Sequence, residues 1–561
     1  MTTLFRAPRI SSPRSTGIKN GGVTSYDTRI VKPVSRIVGD AITPGQQVEF
    51  RWRSSSSAFH NPRETKLAVK YKVKLGPLTN QADFEGLVAP TAGATNNALK
   101  GKYLPSNVRF TACPNTALFG DGCQYQVNST MVENQPNYYD ACKVKLYTKY
   151  DDNADTSGSC GLITRRKDLH APTKNDGNYP FPKPADTDPS DPMRQDVAEL
   201  AELYNPKQEL LRQSFGLEKQ ESGEIEIFDN IWLSSFEHGY FVAGADHTLS
   251  LTVSQHFADM FHSQKTSFEY TDEDGAIASH YNQPYTKVVM GELPANSATE
   301  AGTIYVEVLD ISLHVAMAGT VPSIPPSVAL KYSELMISNR ELTQEQNEIS
   351  LVVPPSTRAL YCFSRQQIHD VRADAEEMGL AGAGIDEVGL VAGTAGNTAT
   401  MPSTISSLIF ELGGQVQPSS GGYTNMDVTQ FRAGRAFTDA LSVVGKPSAM
   451  RGTTWDFIDW CGKKSANGRS FPGTADGVRG AQKVAVASEV FGDQGPGYFV
   501  RMILPPNSLS NVLTVRCNLA QAPGALARQQ LTIVAVHDSL WTMQYAPPAE
   551  LPVETKVSPI T

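Results

Sequence analysis

A chain of 561 residues, 40% hydrophobic and 19% charged, holds enough apolar material for two or more cores, and its Gly and Pro content is too low for a collagenous or disordered protein. Lys and Arg number 49 against 58 Asp and Glu, a formal net charge of -9, which excludes a protein that coats nucleic acid with its whole surface, because neutralising phosphates takes a basic excess. No run approaches the roughly 18 apolar residues of a membrane-spanning helix.

The N-terminus follows its first Arg with Pro, Ser and more Arg, where a secretory leader would place an apolar core. Seven cysteines (Cys113, Cys123, Cys142, Cys160, Cys362, Cys461, Cys517) are scattered, odd in number and without a CxxC pair. The expectation is a protein made and folded in a reducing interior with buried free thiols; a Cys113 to Cys123 bridge is the alternative.

Residues 1–36 carry Arg6, Arg9, Arg14, Lys19, Arg29, Lys32 and Arg36 against the single acid Asp27, and Gly, Ser and Pro interrupt every candidate helix or strand. This opening reads as a basic arm, either frayed in solvent or ordered against a neighbouring subunit or an anionic surface. Gln46 to Arg53 then alternates weakly, and Lys66 to Leu75 alternates fully. Leu67, Val69, Tyr71, Val73 and Leu75 point to a core, while Lys66, Lys70, Lys72 and Lys74 point to water. His60 to Thr65 supplies the turn between these strands.

Short strands with turn chemistry at Asn115 and at Gly120-Asp121-Gly122 fill Asn107 to Glu133. Tyr139, Cys142, Leu146, Tyr147 and Tyr150 recur at helical spacing and predict a helix with one stripe on a sandwich edge. Asp151 to Gly223 is a long insertion rich in Asp, Pro and Lys, with a short amphipathic helix around Val197 to Tyr204. Loops of that length are functional or disordered. The β pattern resumes at Glu224 to Phe236 and at Leu249, Leu251 and Val253, and after a polar loop, Ser263 to Thr303, comes the run Ile304 to Met317. Its alternation slips by one residue after Val308, as a β-bulge would produce.

A Pro-rich connector with Pro322, Pro325 and Pro326 marks a seam within Leu309 to Val328. Beyond it, strand patterns fall at Ile349 to Val353, Arg358 to Phe363, Ile405 to Leu412, Tyr498 to Leu504, Val512 to Leu519 and Leu531 to Tyr545. Two long loops intervene, Asp370 to Pro402 and Gly445 to Pro496, the second with Trp455, Phe457 and Trp460 as anchors to the core. The halves also end alike: Val306 to Met317 aligns with Val534 to Met543, matching Val306/Val534, Val308/Val536, Asp310/Asp538 and Leu313/Leu540 with small gaps. A duplicated sandwich closing on equivalent final strands would leave such a trace.

Signatures of catalysis are missing: no GxSxG, HExxH, GxGxxG or P-loop occurs. His247, His256 and His262 lack the neighbouring spacing of a metal set. The acidic loops Thr271 to Gly275 and Asp186 to Asp191 suit a hard cation in composition but complete no EF-hand, so solvated loops are expected. Nothing singles out a carboxylate pair for glycoside hydrolysis. Asn128-Ser129-Thr130 is a glycosylation sequon in form only. No enzyme activity, metal or cofactor is expected.

Several segments resemble one family. Gly45 to Trp52 followed by PRETKLAVKYKV is similar to the opening strand pair of the double jelly-roll major capsid proteins of the adenovirus-like lineage, especially those of virophages and polinton-like viruses. Ala117 to Tyr150 resembles the family's strand, Asn-polar turn and Tyr-rich helix; Phe228 to Phe261 looks like its loop return and core strand. Ser407 to Ser420 resembles its strand and Gly-Gln-x-x-Pro turn, and TIVAVHDSLWTMQY its final strand. The resemblance runs from about residue 45 to 545, and the insertion at 151–223 departs from it.

The resemblance implies an all-β chain of two tandem eight-stranded antiparallel jelly-roll sandwiches with long inter-strand loops and a few short helices. The domains would be a basic arm at 1–36, a first jelly roll at 37–320 with insertions 151–223 and 263–303, and a second at 321–561 with insertions 370–402 and 445–496. The implied function is that of a major capsid protein of the virion, trimerising into a pseudo-hexameric capsomer that tiles an icosahedral shell. Implied partners are its own copies, neighbouring capsomers, and penton and minor or cement proteins. The arm, through Arg6, Arg9, Arg14 and Lys19, would lie at the inner face with weak genome contact. The alternative is a tandem β-sandwich that binds glycans or mediates adhesion, with a jelly-roll enzyme behind it.

Overall fold

The computed structural model describes residues 26–34, 42–55, 57–76, 108–110, 113–149, 223–237, 240–263, 266–271, 277–282, 287–300, 302–319, 327–354, 357–366, 405–417, 421–424, 436, 438, 439, 500–503, 512–519, 529–545 and 552–559. Its first half contributes, in chain order, β1 (Tyr26–Val31), β2 (Gln47–Arg53), β3 (Ala58–His60), β4 (Lys66–Leu75), β5 (Val108–Phe110), β6 (Gly122–Val127) and β7 (Thr130–Gln135). The half continues with β8 (Gly223–Asn230), β9 (Asp246–Thr252), β10 (Phe261–Ser263), β11 (Thr266–Thr271), β12 (Ile277–Asn282), β13 (Lys287–Met290) and β14 (Thr303–Gly319). The second half contributes β15 (Ser327–Leu342), β16 (Gln346–Val352), β17 (Thr357–Gln366), β18 (Ile405–Leu412), β19 (Gln415–Gln417), β20 (Val500–Ile503), β21 (Val512–Leu519), β22 (Gln529–Tyr545) and β23 (Pro552–Pro559).

Strand order defines the architecture. One sheet of the first half runs β1-β14-β4-β8 and the other β2-β9-β6-β7; the second half runs β15-β22-β17-β20 and β16-β21-β18-β19. Counting the eight principal strands of each half in chain order, both halves read 1-8-3-6 in one sheet and 2-7-4-5 in the other. Two antiparallel sheets with that order are a jelly roll, and the chain carries it twice. Among the described residues every strand pair joins partners from the same half.

Local sequence explains the elements. In β4, Leu67, Val69, Tyr71 and Val73 are fully buried or nearly so and face the core. The intervening Lys70 pairs with Glu224 of β8 at 2.7 Å on the other face. Lys74 departs from the expected water-facing row: it is buried, and its Nζ donates to the Pro294 carbonyl at 2.6 Å. The two-residue turns are set by backbone conformation. Asn128 and Ser129 sit at φ 48° and 64° between β6 and β7, and Gly413 and Gly414 at 60° and 79° between β18 and β19, as the tight hairpin turn requires. Asn115 lies in the short helix Pro114–Leu118 instead of a turn. Its side chain accepts from Tyr71 Oη at 2.7 Å and donates to the carbonyls of Leu67 and Ile227 at 3.1 and 2.8 Å.

The slip in the long run is a register break: β14 and β4 pair with a shift between Val308 and Asp310, so Leu309 is the extra residue. The equivalent pair in the second half, β22 with β17, shifts between Thr357 and Ala359, opposite His537 and Val536. Both breaks therefore lie beside the aligned aspartates Asp310 and Asp538. Each aspartate also pairs with a lysine at or just after strand 1 of its half, Lys32 and Lys331. The short sequence match between the two endings thus reflects the same place in the same fold.

Further expectations about the strands need correction. Residues 26–31, assigned to an interrupted arm, form β1, the first jelly-roll strand, paired along its whole length with β14 from Tyr26 opposite Ala318 to Val31 opposite Leu313. Six residues of YDTRIV suffice because β14 supplies a preformed edge. The loop 263–303 contains the hairpin of β11 and β12 and the parallel partner of β14, β13. The strands β15 and β23 were not legible: β15 is half-buried on both faces beyond Tyr332, which erases a period of two, and Pro552 and Pro559 bound β23.

Candidate assembly surfaces

The seam is where the two sandwiches lock together. Val328, Leu330 and Tyr332 at the start of β15 and Trp541, Met543 and Tyr545 at the end of β22 all belong to the buried cluster of the first sandwich. The helix Tyr138–Lys149 forms as its spacing predicts, but it lies at this junction and not on a free edge. Tyr138, Tyr139 and Cys142 are packed in the first core, and Val144 is packed in the second. Trp541 meets the Tyr125 ring edge-to-face, with centroids 6.1 Å apart. Polar contacts fix the register across the junction. Tyr332 Oη donates to the Val132 carbonyl, Tyr545 Oη to the Ala243 carbonyl at 3.1 Å, Asn137 Nδ2 to the Ile337 carbonyl at 3.3 Å and Asn339 Nδ2 to Asp140 Oδ2 at 3.0 Å. Pro322, Pro325 and Pro326 lie outside the described residues.

Beside the junction sits a ring cluster. His247 is buried between two hydroxyls, with Nδ1 2.8 Å from Tyr125 Oη and Nε2 2.9 Å from Ser54 Oγ, and it stacks on Trp52 at 5.1 Å. His60 lies 4.8 Å from it, ring to ring, with Nε2 3.0 Å from Thr65 Oγ1. Burial pushes the His247 pKa down to about 3, so the ring is a neutral donor and acceptor bridging two strands. The one N–H and the one lone pair of the neutral ring are both committed to these hydroxyls.

Buried acids hold the segment that follows β8. Glu133 accepts from the backbone N–H groups of Ser234 and Ser235 at 2.9 and 2.7 Å, and Lys145 donates to the Trp232 carbonyl and pairs with Glu237 at 3.0 Å. Glu334, raised by burial and by the nearby Glu133, accepts from Ser539 Oγ at 2.9 Å. Asp229 is fully buried, and its Oδ2 accepts from the Thr116 N–H at 3.2 Å. Burial raises its pKa to about 8 against hydrogen bonds that favour the charge.

A carboxyl with a raised folded pKa contributes stability that is present below its unfolded pKa of 3.8 and lost as pH rises through about 8. Asp229→Asn should therefore flatten the fall in stability between pH 4 and 8. Urea midpoints across that range check it, and unchanged pH dependence would show that Asp229 is ionised throughout.

The thiols among the described residues are inert by the same physics. Cys113, Cys123, Cys142, Cys362 and Cys517 are all buried, and burial pushes the thiol of Cys517 up to about 12 and those of Cys123 and Cys362 well up. Cys113 and Cys123 form no bridge.

Among the described residues no group of three or more His, Cys, Asp or Glu side chains is placed to hold a metal ion, and no helix among them is long and apolar enough to cross a membrane. Arg6, Arg9, Arg14 and Lys19 lie outside the described residues, as do the acidic loops at 186–191 and 272–275. So do the insertions at 151–222, 370–402 and 445–496 with Trp455, Phe457 and Trp460, and the helix expected around Val197 to Tyr204.

Large apolar side chains do reach the surface in the described strands. Tyr26 and Ile30 on β1 are 60% and 61% exposed, Val352 and Val512 65% and 50%, and Phe228 and Leu309 are partly exposed. Sequence alternation identified neither β1 nor the seating of Trp541 in the first core. The only hint was the aromatic in SLWTM at the place of a final strand.

Two jelly rolls of identical strand order, joined at a shared apolar junction, define the chain as a double jelly roll. The same architecture appears in a solved structure. A chain of the Sputnik virophage structure determined by cryo-EM superposes with a TM-score of 0.50 at 13% identity, covering 100% of this chain and 93% of that one. The mavirus major capsid protein gives a TM-score of 0.48 at 11% identity, covering 100% and 96%. No family model matches the chain, and no curated protein does.

Proposed function

We propose that the protein is a capsid building block: a major capsid protein that trimerises into a pseudo-hexameric capsomer and tiles an icosahedral viral shell. The observation that carries this reading is the tandem repeat of one complete jelly roll, locked side by side through Trp541, Met543 and Tyr545 in the first core. Three copies of such a unit in cyclic symmetry present six similar walls around an axis, a shape that tiles. The fold shared with a chain of a virophage structure supports the same reading. The buried Glu133, Lys145 and His247 each hold a loop or a strand in place, which suits a structural part.

In this reading the first jelly roll extends to about residue 320 and the second from about 321 to 561, with β1 as the first strand. The arm is then residues 1–25, and Arg6, Arg9, Arg14 and Lys19 face inward toward neighbouring capsomers, minor or cement proteins, and the genome. The insertions at 151–222, 370–402 and 445–496 and the β11–β12 hairpin form the outer projections and the contacts between subunits. Penton proteins close the vertices, and the virion is the site of residence.

Two measurements test this. Sedimentation equilibrium of the purified protein should give three times the 60.8 kDa chain mass; a monomer at micromolar concentration would overturn the reading. Deleting residues 2–25, which leaves β1 in place, should keep trimers and impair shell assembly; normal shells would remove the arm from the account.

A further inference from the structure

The joint between the two sandwiches contains a carboxyl whose hydrogen bonds can be counted. Glu334 stands where β15 meets β7 of the first sandwich. Its Oε2 accepts from Ser539 Oγ of β22 at 2.9 Å, and its Oε1 lies 3.3 Å from Tyr332 Oη. The same Tyr332 Oη bonds the Val132 carbonyl of β7. A carbonyl can only accept and a hydroxyl carries one proton, so Tyr332 gives its proton to Val132 and turns a lone pair toward Glu334. Burial holds the phenol far above its usual range, so that proton stays in place. An ionised Oε1 would face the lone pair; a protonated Oε1 would donate to it.

The charged groups around Glu334 offer it no other partner. Both oxygens of Glu133 on β7 are taken by the backbone N–H groups of Ser234 and Ser235. His537 of β22 has Nε2 3.6 Å from Glu334 Oε2, beyond hydrogen-bond reach. Lys145 of the junction helix pairs with Glu237 at 3.0 Å, and Asp140 of the same helix accepts from Asn339. Asp538, next to His537 and so on the other face of β22, pairs with Lys331 at 2.9 Å and Arg358 at 3.5 Å.

We propose that Glu334 is protonated when the joint is closed, with Oε1 donating to Tyr332 Oη, so that closing the joint takes up one proton and raising the pH loosens it. Burial first, and then the negative charge of Glu133, hold the Glu334 carboxyl above its ordinary 4.5, which agrees with the hydrogen-bond count. The contribution is full below 4.5 and is lost as pH rises through the value of the closed joint. His247 acts in the opposite sense, so the region is firmest between the two. The device lies within one chain and works in a monomer as in a trimer, so it does not rest on the capsid reading.

Hydrogen exchange of the full-length protein, read in peptides from β7 and β15, tests it. E334Q copies the protonated acid permanently, its amide donating to Tyr332 and its carbonyl accepting from Ser539. Comparing wild type with E334Q at each pH cancels the intrinsic exchange chemistry and the titrations of Asp229 and His247. The two should be equally protected at about pH 5, and by about pH 8 the wild type should have lost at least about threefold relative to E334Q. A ratio that stays constant with pH, or a wild type better protected than E334Q at the higher pH, would show that Glu334 is ionised in the closed joint and would overturn the proposal. Should E334Q fail to fold, E133Q decides: removing the neighbouring charge should shrink the loss of protection with pH seen in the wild type, and an unchanged loss overturns the proposal.

Discussion

Trp541→Ala is expected to lower unfolding free energy by about 3–5 kcal/mol and to lower the stability of both sandwiches together. Trp541 is fully buried, and although it belongs to the last principal strand of the second jelly roll, it packs in the first core against Tyr125. Truncating it leaves a cavity between the sandwiches that backbone from two sheets cannot collapse to fill. Cores are close-packed, so the lost contacts are felt on both sides. Calorimetry should show one cooperative transition in the wild type and an earlier one in the variant. Two separate transitions, with only the later half affected, would mean that the junction does not couple the domains.

Acid should weaken the same region through His247. Its pKa falls from 6.5 to about 3 on burial, so the unfolded chain binds a proton that the folded chain refuses. The sign follows: the stability contribution is full above pH 6.5 and is lost as pH falls toward 3, by on the order of 4 kcal/mol in total. His247→Gln keeps a donor and an acceptor for Tyr125 and Ser54 but loses the stacking on Trp52. It should be less stable than wild type at pH 7, with the gap narrowing steadily at pH 5 and pH 4. Urea titrations at the three pH values decide this; a constant gap would show that His247 is not the group that titrates.

The sheets were largely legible because half-buried strands write a period of two. Lys66 to Leu75, Val512 to Leu519 and Ile405 to Leu412 all alternate, and each became a strand with nearly those bounds. The bulge at Leu309 was legible for the same reason, since an extra residue flips the alternation. What failed to show were strands whose two faces meet similar surroundings. Tyr26–Val31 is exposed on both faces, and the later part of β15 is half-buried on both, so neither leaves a pattern.

The junction was hidden for a different reason. Val328, Leu330 and Trp541 read as ordinary core residues of their own half, and only the three-dimensional path of β15 and β22 assigns them to the other. The helix Tyr138–Lys149 shows the same limit. Its apolar spacing was visible, but not that it serves two cores, Cys142 in one and Val144 in the other. Periodicity reports that a residue is buried and not against what.

Images of the purified protein test the central claim most directly. Class averages viewed down the symmetry axis should show six lobes of similar size in a near-hexagonal outline, three pairs joined within chains. A two-lobed monomer, or a three-lobed ring with each chain's sandwiches stacked along the axis, would contradict it.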